Sequence, residues 1–239
     1  MPKTRPEWQY DELKINSVMD YNAATQAAEY EERHGKVRDI PAENKNILDR
    51  LEKLLPVSLS SANILEIGTG TGAFARTAAT RCAHVTALDA AEAMLQVAGE
   101  KMKPMGIANV ELIHAGFLTY DFPLERYDAV VSSLAMHHLP DVWKGEALAN
   151  IRRTLKPGGV FILVDVTFPC EGGEMAEYVP TLCTDALGEV MKTALLGHIA
   201  KEYSTFSWIM CGLIEHSGLE LLTHEKFSQV AEIYVARKG

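Results

Sequence analysis

From residue 63 onward, short apolar runs alternate with stretches of mixed polarity that are long enough to form helices. This alternation predicts strands and helices in turn, and therefore a mostly parallel sheet. Several of the apolar runs have no polar face, which requires helices on both sides of the sheet. We expect a Rossmann-like three-layer α/β/α sandwich with strands at residues 63–67, 84–88, 110–114, 127–132 and 160–166.

The segments around this core predict a single domain, residues 1–239, with added parts. Residues 1–56 are expected to form an N-terminal helical cap, and 57–167 a ligand-binding core. Residues 168–203 are too long for a bare loop and predict a helical insertion, or lid, after the fifth strand. Residues 204–239 predict a final helix, starting near Ser204, and an antiparallel strand pair. The whole sheet would have seven strands, mostly parallel, with a terminal antiparallel strand among them.

Composition excludes several classes of protein. No apolar run approaches the roughly 20 residues of a membrane helix, and the first ten residues lack the apolar core of a secretory signal. Four cysteines lie far apart, which favours reduced thiols over a zinc or redox pair. We therefore expect a cytoplasmic protein without a membrane span.

The charge balance bears on the partners of the chain. There are 23 Lys and Arg residues against 32 Asp and Glu residues, so the formal net charge is -9. This charge repels a phosphate backbone, and the basic residues are scattered rather than clustered. Nucleic acid is therefore an unfavoured partner. Oligomeric state stays open, with a homodimer through an apolar lid as one option.

The first predicted strand runs directly into a glycine-rich turn, Glu66-Ile67-Gly68-Thr69-Gly70-Thr71-Gly72, before a helix begins near residue 73. Glycines at a strand-to-helix turn allow a tight bend and leave room for a ligand close to the backbone. Free amides at the start of the helix attract carboxylate or phosphate. The alternative is a purely structural turn, which needs only one or two glycines.

Asp89 supports the ligand-binding alternative. It ends the second predicted strand, 23 residues after Glu66, where an acid can accept both hydrogen bonds of a ribose diol. An ordinary surface aspartate is the alternative. Gly68, Gly70 and Gly72 give the spacing GxGxG, not the GxGxxG of a dinucleotide site, and a second nucleotide-binding half is missing. A nicotinamide oxidoreductase is therefore disfavoured.

Four segments together resemble the class I S-adenosylmethionine-dependent methyltransferases. Residues 65–72 resemble the opening motif of that family, 88–95 its ribose-binding segment, 127–141 its fourth-strand motif and 155–160 the turn into its fifth strand. The resemblance implies S-adenosylmethionine as cofactor and S-adenosylhomocysteine as product. It also implies a set of cofactor-binding residues: Glu66, Gly68, Thr69, Gly70, Gly72, Asp89, Ala90, Met94, Gly116, Phe117 and Leu134.

The third-strand segment departs from the family. Many relatives carry an acid there that accepts a hydrogen bond from the adenine amino group, whereas this chain has Gly116. The amide of Phe117 could still bind an adenine ring nitrogen. The missing acid also motivates a second hypothesis, a non-enzymatic module that binds a nucleoside or a protein partner.

A methyl sulfonium is already a strong electrophile, so the protein mainly has to align the acceptor and exclude water. The reactive end should lie beyond the fourth and fifth strands, near His137 and His138. Either histidine could take a proton from the acceptor, or both could simply cap a helix or line the wall. We predict no metal site, because the side chains of neighbouring residues are expected to diverge.

The acceptor is not readable from the sequence. The fourth-strand segment lacks an Asn-Pro-Pro-Tyr motif, which disfavours adenine and glutamine nitrogen as acceptors. A small molecule is the leading hypothesis, and quinones are among the options because many similar family members methylate them. Aromatic and titratable residues of the cap and lid are candidates for acceptor binding or, alternatively, for anchoring helices: Tyr21, Tyr30, His34, Tyr203 and Trp208.

Overall fold

The computed structural model describes residues 6–14, 21–35, 38–183 and 189–239. Parts of the predicted cap and insertion lie outside these ranges, namely residues 1–5, 15–20, 36–37 and 184–188. The strands of the described residues are β1 Asn63–Ile67, β2 His84–Asp89, β3 Val110–His114, β4 Tyr127–Ser133, β5 Leu155–Asp165, β6 Thr167–Phe168, β7 Thr205–Phe206, β8 Leu219–Lys226 and β9 Glu232–Lys238.

Seven of these strands form one sheet in the order β3-β2-β1-β4-β5-β9-β8, and β6 pairs with β7 separately. Strands β1 to β5 are parallel, whereas β9 is antiparallel to both of its neighbours, β5 and β8. The predicted fold class, including the terminal antiparallel strand, is therefore confirmed. The strand order reverses direction between β1 and β4, the position where open α/β sheets bind ligands at their carboxyl edge.

The helices are α1 Ala24–Gly35, α2 Ile40–Leu54, α3 Ala73–Ala78, α4 Glu92–Met102, α5 Asp141–Thr154, α6 Met175–Leu182, α7 Glu189–Lys201 and α8 Ser207–His216. None of these described helices is both long and apolar enough to cross a membrane. Helix α8 begins three residues after the predicted start at Ser204, because the chain first pairs as β7.

Local sequence explains the bounds of α2. The Asp39 side chain accepts a hydrogen bond from the Ala42 amide at 3.1 Å, and Pro41 occupies the first turn, where its missing amide costs nothing. The helix ends at Leu54, and Leu55 is extended, as expected for the residue before Pro56. Helix α2 packs against one face of the sheet through Ile47, Leu48 and Leu51.

The core consists of two apolar layers, one on each face of the sheet. Residues of β1 alternate between them, with Ile64 in one layer and Leu65 in the other. The first layer packs under α2, α3 and α4, and includes Leu48, Leu51, Phe74, Ala98, Val131 and Ile162. The second packs under α5 and α8, and includes Ile67, Val130, Leu148, Phe161, Met210 and Ile214.

The turn between β1 and α3 is held between two neighbouring strands. The amides of Gly68 and Thr69 donate to the Leu88 carbonyl at 2.9 and 2.8 Å. On the other side, a Cβ placed on Gly68 would lie 2.3 Å from the Cβ of Ala135, which follows β4. Gly68 has φ +80°, a left-handed conformation that favours glycine. Both backbone conformation and close packing therefore require glycine at this position.

Replacing Gly68 with alanine should destabilise the fold more than replacing Gly70. Gly70 has φ +55° but no described heavy atom within 4 Å of its ideal Cβ position, so Gly70→Ala should cost only the conformational penalty of about 1–2 kcal/mol. Gly68→Ala adds an overlap worth about 1–3 kcal/mol. Urea unfolding of both ligand-free variants measures the difference.

The double variant Gly68→Ala/Ala135→Gly tests the cause of that difference. Removing the Cβ of Ala135 should recover about 1 kcal/mol or more relative to Gly68→Ala once the effect of Ala135→Gly alone is subtracted. Equal losses for Gly68→Ala and Gly70→Ala, or no recovery in the double variant, would contradict the close-packing explanation.

Candidate functional site

A cavity lies at the carboxyl ends of β1, β2 and β4, beside helix α1. The space inside it, including its open mouth, is about 1080 Å³. Most of the residues singled out from the sequence meet in its wall: Glu66, Gly68, Thr69, Gly70, Asp89, Ala90, Met94, Gly116, Phe117, Leu134, Tyr21, Tyr30 and His138.

The other predicted site residues lie outside this wall. Gly72 packs against α4, where its ideal Cβ would lie 2.7 Å from the methyl group of Met102. His34 stacks behind Tyr30, with ring centroids 4.0 Å apart. Trp208 is 57% exposed and stacks on another aromatic ring of the surface, which fits an anchoring residue better than an acceptor contact.

Tyr203 and His137 are likewise set back from the cavity. The Tyr203 amide donates to the His137 carbonyl at 2.8 Å, and the Tyr203 ring meets the edge of Tyr10 at 6.2 Å between centroids. Tyr10 itself lies in the cavity wall. Tyr203 therefore supports a wall residue rather than forming the wall.

The glycine turn presents bare backbone to the cavity. Gly68, Gly70 and Gly72 all have positive φ, and the space beside Gly70 holds no described atom within 4 Å of its ideal Cβ position. A ligand can approach this backbone directly. The predicted function of the turn as a close-approach surface is thus compatible with its geometry.

Asp89 is fixed between the glycine turn and the start of α4. Its Oδ2 accepts a hydrogen bond from the Gly70 amide at 2.7 Å, and its Oδ1 accepts one from the Ala91 amide at 2.8 Å. Burial raises the pKa of Asp89, while these two amides lower it. Each carboxylate oxygen can accept a further hydrogen bond, so the group can bind both hydroxyls of a diol.

Glu66 adds a second carboxyl group to the same end of the cavity. It is 3% exposed, and its Oε2 accepts a hydrogen bond from the Thr69 hydroxyl at 2.6 Å. Burial, and to a smaller extent the negative charge of Asp89, raises the pKa of Glu66 to about 7 against the hydrogen bond from Thr69. A cation bound nearby would favour its ionised form.

Helix α1 is attached to the glycine turn by Glu31, a residue the sequence reasoning did not identify. Its Oε1 accepts hydrogen bonds from the Thr71 hydroxyl at 2.5 Å and from Arg76 at 2.9 Å, and its Oε2 lies 2.9 Å from the Lys101 ammonium. Burial alone would raise the pKa of Glu31, but these hydrogen bonds hold it below its usual value. The hydrogen bond between Glu31 and Thr71 joins residues 40 positions apart, and no local sequence pattern predicts it.

Glu12 is the second acid that the sequence reasoning missed. It is 5% exposed and lines the cavity beside Gly116. Its Oε1 accepts hydrogen bonds from the amides of Leu118 and Thr119, both at 2.7 Å. Burial raises the pKa of Glu12, against the hydrogen bonds from Thr119 and the neighbouring amides. Residues 6–14 form turns rather than the helix expected for the cap, and local sequence did not predict their contact with residue 116.

His138 also lines the cavity. Its ring meets the edge of Tyr21 at 5.6 Å between centroids. Its Nδ1 is buried and has no hydrogen-bond partner among the described residues. Burial, together with the adjacent His137, lowers the pKa of His138 to about 3. His138 is therefore neutral at physiological pH.

His137 belongs to a buried polar network behind the cavity. Its Nδ1 lies 2.5 Å from Asp165 Oδ1, and its Nε2 lies 3.5 Å from Glu202 Oε2. Glu202 also pairs with His198. Burial alone would raise the pKa of Glu202, but the two histidines hold it at about 2.

The expectation that the two adjacent histidine side chains diverge was wrong. A short 3₁₀ turn at Met136–His138 brings the rings of His137 and His138 to 4.3 Å between centroids. Their nitrogens and a carboxylate oxygen of Glu202 lie within 4.8 Å of one another. This spacing would admit a metal ion, but His137 and Glu202 are already engaged in hydrogen bonds and ion pairs with protein groups.

Leu134 shows backbone strain at the edge of the site. It has φ +54°, and its amide donates to the Val164 carbonyl at 2.8 Å. A branched residue in the left-handed region costs about 1–3 kcal/mol and persists only where the surrounding structure enforces it. Here the strain turns the chain after β4 so that Leu134 and His138 both face the cavity.

Comparison with known proteins agrees with this geometry. A family model described as a methyltransferase domain matches residues 64–159. Demethylmenaquinone methyltransferase of Listeria monocytogenes is 30% identical over 186 residues, which cover 77% of this chain and 74% of that enzyme.

Solved structures share the fold. An S-adenosylmethionine-dependent methyltransferase from Aquifex aeolicus matches with a TM-score of 0.63 at 16% identity, over 92% of this chain and all of that one (100%). Geranyl diphosphate methyltransferase in complex with GPP and sinefungin matches with a TM-score of 0.61 at 12% identity, over 82% and 77% of the two chains. Together with the glycine turn, the strand order and the matched relative, these findings show that the chain belongs to the class I S-adenosylmethionine-dependent methyltransferases.

Proposed function

We propose that this methyltransferase methylates a small planar acceptor of the hydroquinone type. The observation that carries the proposal is that two chemically different surfaces line one cavity. The polar surface has bare glycine backbone and the carboxylate of Asp89. The aromatic surface has the rings of Tyr21, Tyr30 and His138, and its two tyrosines also pack against Met94.

The polar surface of the cavity fits the cofactor. Asp89 has two fixed oxygens with remaining acceptor capacity, as a ribose diol requires. Glu66 places a carboxyl group beside the glycine turn, where it would attract the positively charged amino acid part of the cofactor. The remaining wall positions are suited to packing against the adenosyl group: Ala90, Met94, Phe117 and Leu134.

The aromatic surface of the cavity fits a flat acceptor. Tyr21 contacts both Tyr30 and His138 edge to face, at 6.3 and 5.6 Å between centroids, so the rings form one continuous wall. Such a wall favours a ring system over a flexible charged chain. The name of the Listeria relative gives demethylmenaquinone as the compound on which that enzyme acts. A related hydroquinone is therefore the acceptor we expect here.

The cofactor, when bound, supplies an electrophilic methyl group, and the chain's own residues supply alignment and exclusion of water. His138 is neutral and lines the cavity, so a ring nitrogen that faces the acceptor can form a hydrogen bond with its hydroxyl and orient the acceptor ring. Its low pKa makes it a weak base, which favours orientation over proton removal. Glu31 holds helix α1 to the glycine turn, so α1 covers the cavity beside that turn.

We also propose a cytoplasmic location, which four unpaired cysteines favour because disulfides are rare in that compartment.

The purified chain should transfer a methyl group from S-adenosylmethionine to a chemically reduced, short-chain demethylmenaquinol. Mass spectrometry of the acceptor would show the added methyl group. The control variant Asp89→Asn should weaken binding of S-adenosylhomocysteine by about 1–3 kcal/mol, measured by calorimetry, because a charged acceptor is lost. Cofactor binding without product from the quinol would refute the acceptor class, and unchanged binding by Asp89→Asn would refute its place in the site.

Cofactor affinity should rise with pH through about 7. A cationic ligand favours ionised Glu66, whose pKa of about 7 means that below neutrality a proton must be released on binding. Each pH unit below 7 should therefore weaken binding of S-adenosylmethionine up to about tenfold. Calorimetry between pH 5.5 and 8 should show this slope in the wild type and a flatter one in Glu66→Gln. The same slope in both proteins would contradict the assignment.

Replacing His138 should affect the acceptor rather than the cofactor. We expect His138→Ala to lower kcat/KM for the quinol by about 10–100-fold, since one orienting hydrogen bond and one wall ring are lost. Its affinity for S-adenosylhomocysteine should stay within about twofold of the wild type. Trp208→Ala is the matched control, because Trp208 is an exposed ring outside the cavity, and steady-state kinetics should show no change. Equal losses in both variants would count against a role for His138.

A further inference from the structure

We infer that the Glu12 carboxyl group, from the described segment 6–14, recognises the amino group of the cofactor's adenine and replaces the acid that is absent at Gly116. The inference rests on the cofactor site proposed above. It adds a specificity-determining residue that lies more than one hundred positions away from the motif it completes.

The position of the Glu12 carboxyl group is the first observation. A Cβ built on Gly116 would lie 2.6 Å from both Cδ and Oε2 of Glu12, and 2.9 Å from Oε1. The carboxyl group of Glu12 therefore occupies the volume that an acidic side chain at position 116 would fill. Any larger residue at 116 would displace it, so glycine there and glutamate at 12 form a complementary pair.

The anchoring of the carboxyl group is the second observation. Oε1 accepts hydrogen bonds from the Leu118 amide at 2.7 Å, the Thr119 amide at 2.7 Å and the Thr119 hydroxyl at 2.8 Å. These three bonds all go to Oε1 and orient the group, and the Phe117 amide also lowers the pKa of Glu12. Glu12 and Gly116 both lie in the cavity wall. A carboxylate held in this way keeps acceptor capacity on Oε2, because each carboxylate oxygen can accept two hydrogen bonds.

The place of Glu12 along the cavity is the third observation. Asp89 pairs in register with His114 across β2 and β3, and Gly116 follows His114 by two residues. A nucleoside whose ribose is held by Asp89 would therefore extend its base past the end of β3, toward Gly116 and Phe117. An adenine amino group can donate to a carboxylate, whereas the carbonyl of hypoxanthine cannot. Glu12 would thus select adenine over an otherwise identical base.

Calorimetric titration with two ligands tests this inference directly. S-adenosylhomocysteine and S-inosylhomocysteine differ at the exocyclic group that Glu12 would contact. The wild type should bind the adenosyl compound about 10–100-fold more tightly, because the inosyl carbonyl would face a carboxylate oxygen. Glu12→Gln should reduce this ratio to near one or invert it, since a side-chain amide can donate to the carbonyl.

Moving the carboxyl group back to position 116 gives a rescue. Glu12→Ala should lose the adenosyl preference, and Glu12→Ala/Gly116→Asp should regain at least a tenfold preference, because the alanine leaves space for the aspartate. Asp11→Asn is the matched control: it removes the same charge from the adjacent residue, which pairs with exposed Lys14, and should leave the ratio unchanged.

The outcomes separate this inference from the proposed function. If the wild type does not bind S-adenosylhomocysteine, the cofactor site is wrong and the inference falls with it. If the wild type binds it and both Glu12 variants keep the wild-type ratio, Glu12 is only a structural cap and this inference alone is overturned. Thermal melting without ligand identifies any variant that is unfolded. For an unfolded variant, Gly116→Ala supplies the same readout, because its Cβ displaces the Glu12 carboxyl group and should lower the ratio.

Discussion

The site depends on the packing of the glycine turn between two neighbouring strands. On one side the turn is held to β2, because the amides of Gly68 and Thr69 both donate to the Leu88 carbonyl. On the other side Gly68 touches Ala135 so closely that no Cβ fits. Asp89 ends β2 and His138 follows β4, so the two residues line one cavity from either side of the turn that follows β1.

Buried acids cluster in the part of the cavity that we propose for the cofactor, and burying them is costly unless a ligand compensates. Glu12, Glu66 and Asp89 are each less than 10% exposed, and burial raises the pKa of all three. Backbone amides and hydroxyl groups offset part of the cost. A sulfonium cofactor carrying an ammonium group brings positive charge to this region, so its binding relieves repulsion that the empty protein must tolerate. Such a site favours the charged cofactor over its neutral fragments.

The sequence predicted the parts of the molecule that depend on local order. Strand β1, the turn after it and Asp89 follow from periodicity and spacing, and the fold class was confirmed. Glu12 and Glu31 were missed because their roles arise from contacts across 106 and 40 positions, which no local pattern can predict. Trp208 was placed among the acceptor candidates on residue type alone, and burial, which the sequence does not fix, leaves it on the surface.

The pair of adjacent histidines shows how one local motif can serve two environments. The 3₁₀ turn directs His138 into the cavity and His137 into the network with Asp165 and Glu202. Glu202 follows α7, so the His137 network connects His138 in the cavity wall to the helices inserted after β5. The proximity of His137 also helps to keep His138 neutral. A shift of these helices would therefore displace His138 through the His137 network. The glycine turn and Asp89 would keep their positions, because strand contacts fix them.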